Sequence, residues 1–282
     1  MINSDENILK VLEQSNEYFK SNNEMSSRIE ENLWIFRSLK DLEPATPEDL
    51  LLGYRFPLIE TNSEFESSIA LCKFGFYKHA FIALRSVLEL GILSAYWNAD
   101  EGNHLDIRKW LVSLEDTPSR KTVFTKLKKN QNFLKFDNKH RCFSEGDDLF
   151  RQLSNFVHTK GHRHSSVDLG NANFNRFKEE SLLKWLDLMT RVTKFVVILH
   201  ILKYPVALQH TPIEQKFGIN GPAGGFFEPY QTERIKQFLG KDVIITLQEI
   251  SNNDPTAISR AKWVNEQPDI TYEELQIQMG EI

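Results

Sequence analysis

Two side chains that can move a proton and neutralise a phosphate lie seven positions apart in the stretch FRQLSNFVHTKGHRH. Arg151 carries a permanent positive charge, and His158 carries an imidazole that exchanges protons near neutral pH. If one helix runs through this stretch, two turns separate the pair and both side chains share a face. Asn155 then lies one turn from each and could orient either of them by hydrogen bonding.

These residue types suit the cleavage of RNA without a metal ion. A histidine can take the proton of a ribose 2′-hydroxyl, and a guanidinium can stabilise the negatively charged phosphorane that the attack produces. A structural interpretation of the same residues stays open. In it, His158 caps the negative end of its helix and Arg151 pairs with Asp147 or Asp148.

The histidines beyond this helix do not indicate a metal site. Gly161 is expected to end the helix before His162, and no acidic or cysteine ligand stands at helical spacing with His162 or His164. Cys72 lies in an apolar run and Cys142 in a polar one, without the CxxC spacing of a zinc site. We therefore expect no metal and no other cofactor.

Helices must position these groups, because helical periodicity dominates the chain as far as the loss of pattern near Tyr204. The apolar segment 63–97 breaks at Gly75 and continues as a helix over about residues 76–97. This second helix is apolar nearly all round, which is typical of the central helix of a bundle. Its residues Arg85 and Glu89 are four apart, a spacing that permits an ion pair, either structural or supporting the site.

A basic segment follows the central helix. Residues 120–141 hold eight lysines and arginines and one acidic residue, which gives 8 − 1 = +7. Phe124, Phe133 and Phe136 are interleaved with these cations, so lysines could meet RNA phosphates while the rings stack on bases. Helical spacing offers another interpretation, in which the phenylalanines face the core and the lysines face water. The candidate RNA contacts are Lys126, Lys128, Lys129 and Lys160.

A long helix over about residues 176–202 closes the bundle, and the chain then becomes rich in proline and glycine. We predict a helical bundle over residues 1–208 and a small, irregular C-terminal extension of mixed structure over residues 209–282, packed on the bundle. The run DVIITLQEI in the extension is either strand or helix. The stretch GGFFEPY is a candidate lining for a small-ligand cleft between bundle and extension. A short helix is expected between Pro44 and Pro57.

The stretches GFYKHAFIALRSVLELGILSAYW and, some fifty residues later, RQLSNFVHTKG resemble the HEPN superfamily of helical bundles. In that family a helix of the form A…R..LE precedes one with an arginine, four to six residues and a histidine, the places taken here by Arg151 and His158. The resemblance covers about residues 62–200. It implies a dimer in which two motifs face one cleft, with metal-independent endoribonuclease activity common in toxin and phage-defence members. Active members often carry asparagine directly after the arginine, whereas this chain has Gln152 there and Asn155 nearer the histidine.

Composition excludes several other classes of protein. With 40% apolar and 26% charged residues, the 282-residue chain can bury a real core. A net charge of −5 does not suit a surface built as a whole for polyanions, so any RNA contact needs a local patch. The N-terminus has acids where a signal peptide has basic residues, and the apolar runs are too short to cross a bilayer. We expect a cytoplasmic protein without membrane contact.

The sequence thus predicts an all-α, HEPN-like homodimer that cleaves RNA, with His158 as general base or acid, Arg151 stabilising charge and Asn155 orienting one of them. Arg85 and Glu89 support the site. A second account stays open, a non-catalytic interaction or regulatory protein with a partner protein, in which Arg85, Glu89 and His158 satisfy one another inside the bundle. An open cleft holding Arg151 and His158 favours the enzyme, and burial of His158 against Glu89 favours the second account.

Overall fold

A computed structural model describes residues 5–42, 55–97, 99, 104–166, 168–169, 176–219 and 221–280. All regular structure in these residues is helical, and none of them forms a β-strand, which confirms the predicted all-α helical bundle. The α-helices are α1 (Asp5–Ser21), α2 (Asn23–Arg37), α3 (Arg55–Lys73), α4 (Tyr77–Tyr96), α5 (His104–Leu111), α6 (Arg120–Leu127), α7 (Gln131–His140), α8 (Cys142–Val157), α9 (Glu179–Lys203), α10 (Ile213–Phe217), α11 (Pro229–Leu239), α12 (Lys241–Asn253), α13 (Pro255–Glu266) and α14 (Tyr272–Met279). Three 3₁₀ turns join them, at Ser38–Leu42, His162–His164 and Pro205–Leu208.

Helix α4 is the centre of the bundle, as its apolar composition predicts. It packs against α3, α8 and α9, and the break before it falls at Gly75, whose φ is +77°. Gly91 allows the close approach to α9, because a Cβ there would lie 2.7 Å from a methyl carbon of Val196. Contrary to the expectation that every apolar run is too short, α4 is long and apolar enough to cross a bilayer, but 67% of its most apolar window is buried inside the bundle. The bundle core therefore accounts for its composition.

Helix α8 carries the candidate catalytic residues and is held by its apolar face. Leu149, Leu153 and Phe156 are buried, and the Phe156 ring stacks on Phe81 of α4 with 4.1 Å between ring centroids. Near the start of the helix, Gly146 lets α9 approach closely, because a Cβ there would lie 2.6 Å from a ring carbon of Phe195. The other side of α8 is left at the surface.

Helix α8 ends at Val157, four residues before the glycine expected to end it. His158 is the C-cap, and Thr159 adopts a left-handed conformation with φ +46°. The amide of Lys160 then donates to the carbonyl of Asn155, at 2.9 Å, which closes the helix with the hydrogen bond of a Schellman motif. A β-branched residue rarely adopts this conformation, so the helix terminates where its sequence gives no glycine signal.

The C-terminal residues are helical where a mixed, irregular structure was expected. The run DVIITLQEI lies in α12, so its helical alternative is the correct one. Ile235 and Leu239 of α11 and Leu247 and Ile250 of α12 join the main apolar core, because their helices pack directly on the bundle. The division at residue 208 stays a prediction. The short helix expected between Pro44 and Pro57 lies mostly in residues 43–54, outside the described part of the chain.

Candidate functional site

Arg151 lies on the exposed side of α8, and its guanidinium pairs with Asp148, one turn earlier in the helix. Its side chain is 75% exposed. Asp148 also accepts hydrogen bonds from Arg191 of α9 at 2.8 Å and from Gln152 at 2.5 Å. The hydrogen bond from Arg191, followed by that from Arg151, lowers the pKa of Asp148 to about 2. The pairing of Arg151 with an acid of its own helix, one of the two structural alternatives, is therefore present.

His158 is the C-cap of α8, just after the last residue of the helix. Its side chain is exposed and makes no hydrogen bond or ion pair within the described part of the chain. It is not buried against Glu89. An unpartnered, accessible imidazole can meet a substrate without first breaking another contact.

No hydrogen bond or ion pair joins the described side chains of Arg151, Asn155 and His158 to one another. Seven residues at 1.5 Å each separate Arg151 from His158 by about 10 Å along the helix axis. The pairing with Asp148 turns the guanidinium away from His158, and the half-buried Asn155 side chain bonds to no described residue. Within one chain, Asn155 therefore orients neither of them.

Arg85 and Glu89 form the ion pair that their spacing permits, at 2.6 Å. The Arg85 guanidinium lies 4.0 Å from the centre of the Phe150 ring, and its Nε donates to the Ser154 hydroxyl of α8 at 3.3 Å. The Arg85 side chain is only 16% exposed, and burial lowers its pKa. Arg85 therefore links the central helix to α8 through Phe150 and Ser154.

The four lysines predicted to contact RNA differ in whether other side chains already engage them. Lys128 pairs with Asp137 at 3.1 Å, and the ammonium of Lys126 lies 5.5 Å from the centre of the Tyr96 ring. Lys129 is exposed and makes no ion pair with a described residue. Lys160 is also exposed, two positions after His158. Lys129 and Lys160 are thus the most available of the four.

The phenylalanines of the basic segment cannot stack on RNA bases. Phe124, Phe133 and Phe136 are 6%, 0% and 1% exposed, because they pack inward from α6 and α7. The interpretation in which these rings face the core is confirmed, and base stacking on them is wrong. RNA binding by this segment would rest on its cations alone.

A groove of about 840 Å³ that sequence reasoning missed lies beside Arg151. It is lined by cations and acids together, among them Arg120, Arg141, Asp148 and Arg151. Arg120 pairs with Asp147 at 3.1 Å, and Arg141 is exposed in a left-handed conformation at the start of α8. The +7 charge of the basic segment was the sequence signal for the cations of this groove. The acids that also line it come from α8, and the sequence does not predict that α8 lies beside the segment. His158 does not line this groove.

The two histidines that follow α8 have contacts of their own. His164 shares a hydrogen bond with the carbonyl of Lys160 at 2.8 Å, and His162 lies 3.6 Å from Asp168. Burial raises the pKa of the Cys142 thiol at the start of α8. No cluster of three or more metal-ligating side chains occurs among the described residues.

Comparison with known proteins gives no similarity to set beside this geometry. No family model, no curated protein and no solved structure matches the chain.

Proposed function

We propose that this protein is a metal-independent endoribonuclease of toxin or phage-defence type with a HEPN-like bundle. His158 moves the proton of the ribose 2′-hydroxyl, and Arg151 stabilises the charge that develops on the phosphate. One observation supports this most: Arg151 on α8 and His158 at its C-cap are both accessible, and the imidazole has no partner among the described residues. No cofactor is needed for this chemistry.

The pairing of Arg151 with Asp148 does not prevent Arg151 from reaching a phosphate. An ion pair this exposed is worth about 0–1 kcal/mol, so breaking it slows a reaction by no more than about fivefold. Asp148 keeps the hydrogen bond from Arg191 when Arg151 leaves. A phosphate in the 840 Å³ groove beside Arg151 would compete directly with the Asp148 carboxylate.

In a homodimer, Arg151 of one copy could lie close to His158 of the other. If a two-fold axis passes near Asn155, two α8 helices run antiparallel and each Arg151 faces His158 of the second copy. The offset of about 10 Å within one helix then becomes a contact between two. Each of the two resulting sites would hold one guanidinium and one imidazole.

The RNA backbone would be held by the exposed cations around this surface. Lys160 lies two positions from His158, and Lys129 extends from the end of α6 without an ion pair to a described residue. Lys126 and Lys128 are secondary, since ring and carboxylate contacts already engage them. Binding should therefore be electrostatic and should weaken steeply with salt.

The second candidate function is a non-catalytic interaction or regulatory protein with the same bundle. The ion pair between Arg85 and Glu89 and the two arginines on Asp148 favour it, because they give the cations of this region a structural use. In this account the exposed end of α8 contacts a partner protein. His158 has no chemical role.

Incubation of purified protein with a pool of diverse RNAs in excess EDTA separates the two functions. The wild type should cut RNA, His158→Ala should lose at least about 100-fold in rate, and His162→Ala should be unchanged. His162 is the matched control because it is an exposed histidine of the next turn, outside α8. Failure of the wild type to cut, or full activity in His158→Ala, would contradict the proposal.

A further inference from the structure

A second concave site lies in the C-terminal helices, away from α8. Helices α10 and α13 and the loop that carries Phe226 enclose a pocket of about 430 Å³. This volume is within the range of small-molecule sites. Phe226 belongs to the GGFFEPY stretch that the sequence marked as a candidate lining, but the pocket lies among the C-terminal elements and not between them and the bundle.

The walls of this pocket are apolar and largely preformed. Ile213, Phe226 and Val264 are buried in a small cluster of their own, separate from the main core. At the rim, the Trp263 ring stacks on Phe217 with 5.8 Å between centroids, although the Trp263 residue is 58% exposed. An indole held in place but left in water is a surface that a ligand can cover at little cost in side-chain entropy.

The charge of this pocket comes from one side of it. Arg260 of α13 is the only charged side chain among the described residues that line it. Arg260 is half-buried, yet it makes no ion pair, hydrogen bond or ring contact with the described chain. Two other half-buried arginines are each paired with an acid, Arg85 with Glu89 and Arg191 with Glu145. A half-buried guanidinium without a counter-ion, beside an apolar cavity, complements an anion with an apolar body.

We propose that this pocket binds a small carboxylate with an apolar body, such as a medium-chain fatty acid, whose carboxylate pairs with Arg260. At about 30 Å³ per non-hydrogen atom, the pocket has room for roughly fourteen atoms. Decanoate, with ten carbons and two oxygens, fits this volume. The proposal is independent of RNA cleavage, because none of the pocket residues lies on α8.

Calorimetric titration of the full chain with decanoate and with 1-decanol tests the charge and the cavity separately. The wild type should bind decanoate with Kd below roughly 1 mM and should bind 1-decanol about tenfold more weakly. Arg260→Gln should weaken decanoate binding by about tenfold and leave 1-decanol unchanged. Lys262→Gln is the matched control, since Lys262 is an exposed cation of the same helix that pairs with Glu266. It should change neither ligand.

Ala223→Leu tests the cavity itself, because Ala223 lines the pocket and a larger side chain fills it. Both ligands should lose binding in this variant while its thermal unfolding stays cooperative. Any one of three results would overturn the proposal: no decanoate binding by the wild type, equal binding of decanoate and 1-decanol, or unchanged decanoate binding in Arg260→Gln.

Discussion

Asp148 binds three side chains at the surface of α8. Replacing it with asparagine should therefore lower the free energy of unfolding by a measurable amount. Its carboxylate accepts hydrogen bonds from Arg191, Gln152 and Arg151, and its pKa falls from 3.8 to about 2. At about 1.4 kcal/mol per pKa unit, this shift corresponds to at most about 2.5 kcal/mol. The side chain is 28% exposed, so screening by water lowers the expected contribution to about 1 kcal/mol.

The pH dependence of this loss follows from the direction of the shift. The folded state holds the Asp148 proton less tightly than the unfolded state, so the contribution is complete above pH 3.8 and declines as the pH falls toward 2. The difference between wild type and Asp148→Asn should therefore be constant from pH 7 to about pH 5. About half of it should remain at pH 3.

Urea unfolding of the wild type, Asp148→Asn and Asp147→Asn measures this difference. Asp147 is the control because it is the neighbouring acid on α8, 57% exposed, and pairs with no described residue other than Arg120. Its replacement should cost less than about 0.5 kcal/mol. Equal losses in the two variants at pH 7, or an Asp148→Asn loss that does not shrink between pH 5 and pH 3, would refute the reasoning.

Three further predictions concern the stability of α8 and of the neighbouring helix α9. Gly146→Ala should lower the free energy of unfolding by about 1–2 kcal/mol, because its Cβ would lie 2.6 Å from Phe195 Cζ and the clash outweighs the gain in helix propensity; denaturant titration measures it, and a stabilised variant would contradict the packing. Thr159→Gly should melt at a higher temperature than Thr159→Ala, because both variants lose the hydroxyl that accepts from Lys78 at 2.7 Å and only glycine relieves the φ of +46°, worth about 1 kcal/mol. A glycine variant no more stable than the alanine variant would show that the left-handed turn is absent. Burial lowers the pKa of His200 from 6.5 to about 4, so the unfolded state binds more protons below pH 6.5 and wild-type stability should fall by about 3 kcal/mol between pH 6.5 and 4. His200→Gln should remove that slope in urea unfolding, and an unaltered slope would assign it to other groups.

The sequence predicts helices well where one face is apolar over many turns. Helices α4 and α9 begin and end within a few residues of their expected bounds, because their periodicity extends over five turns or more. It does not predict the end of α8, since Thr159 takes a conformation that is normally left to glycine. The sequence also does not predict that DVIITLQEI is helical, because a β-branched run suits a strand or a helix and tertiary packing decides between them.

The contacts of the candidate site residues were not predicted from the sequence. Spacing predicts Arg151 and His158 on one helix, whereas α8 ends at Val157 and His158 is its C-cap; both side chains are exposed. Asp148, which pairs with Arg151, also forms an ion pair with Arg191 of α9. The groove beside Arg151 is lined by residues of α6, α7 and α8, and its shape depends on how these helices pack, which has no local sequence pattern.

Cleavage of one RNA oligonucleotide by the wild-type protein in EDTA, beside the same sequence with a 2′-deoxy sugar at the cleaved position, tests the central claim most directly. Attack by the ribose 2′-hydroxyl requires that oxygen, so the account predicts cleavage of the RNA, a 2′,3′-cyclic phosphate on its upstream product and no cleavage at the deoxy position. Cleavage of both strands at the same position, or of neither, would contradict it.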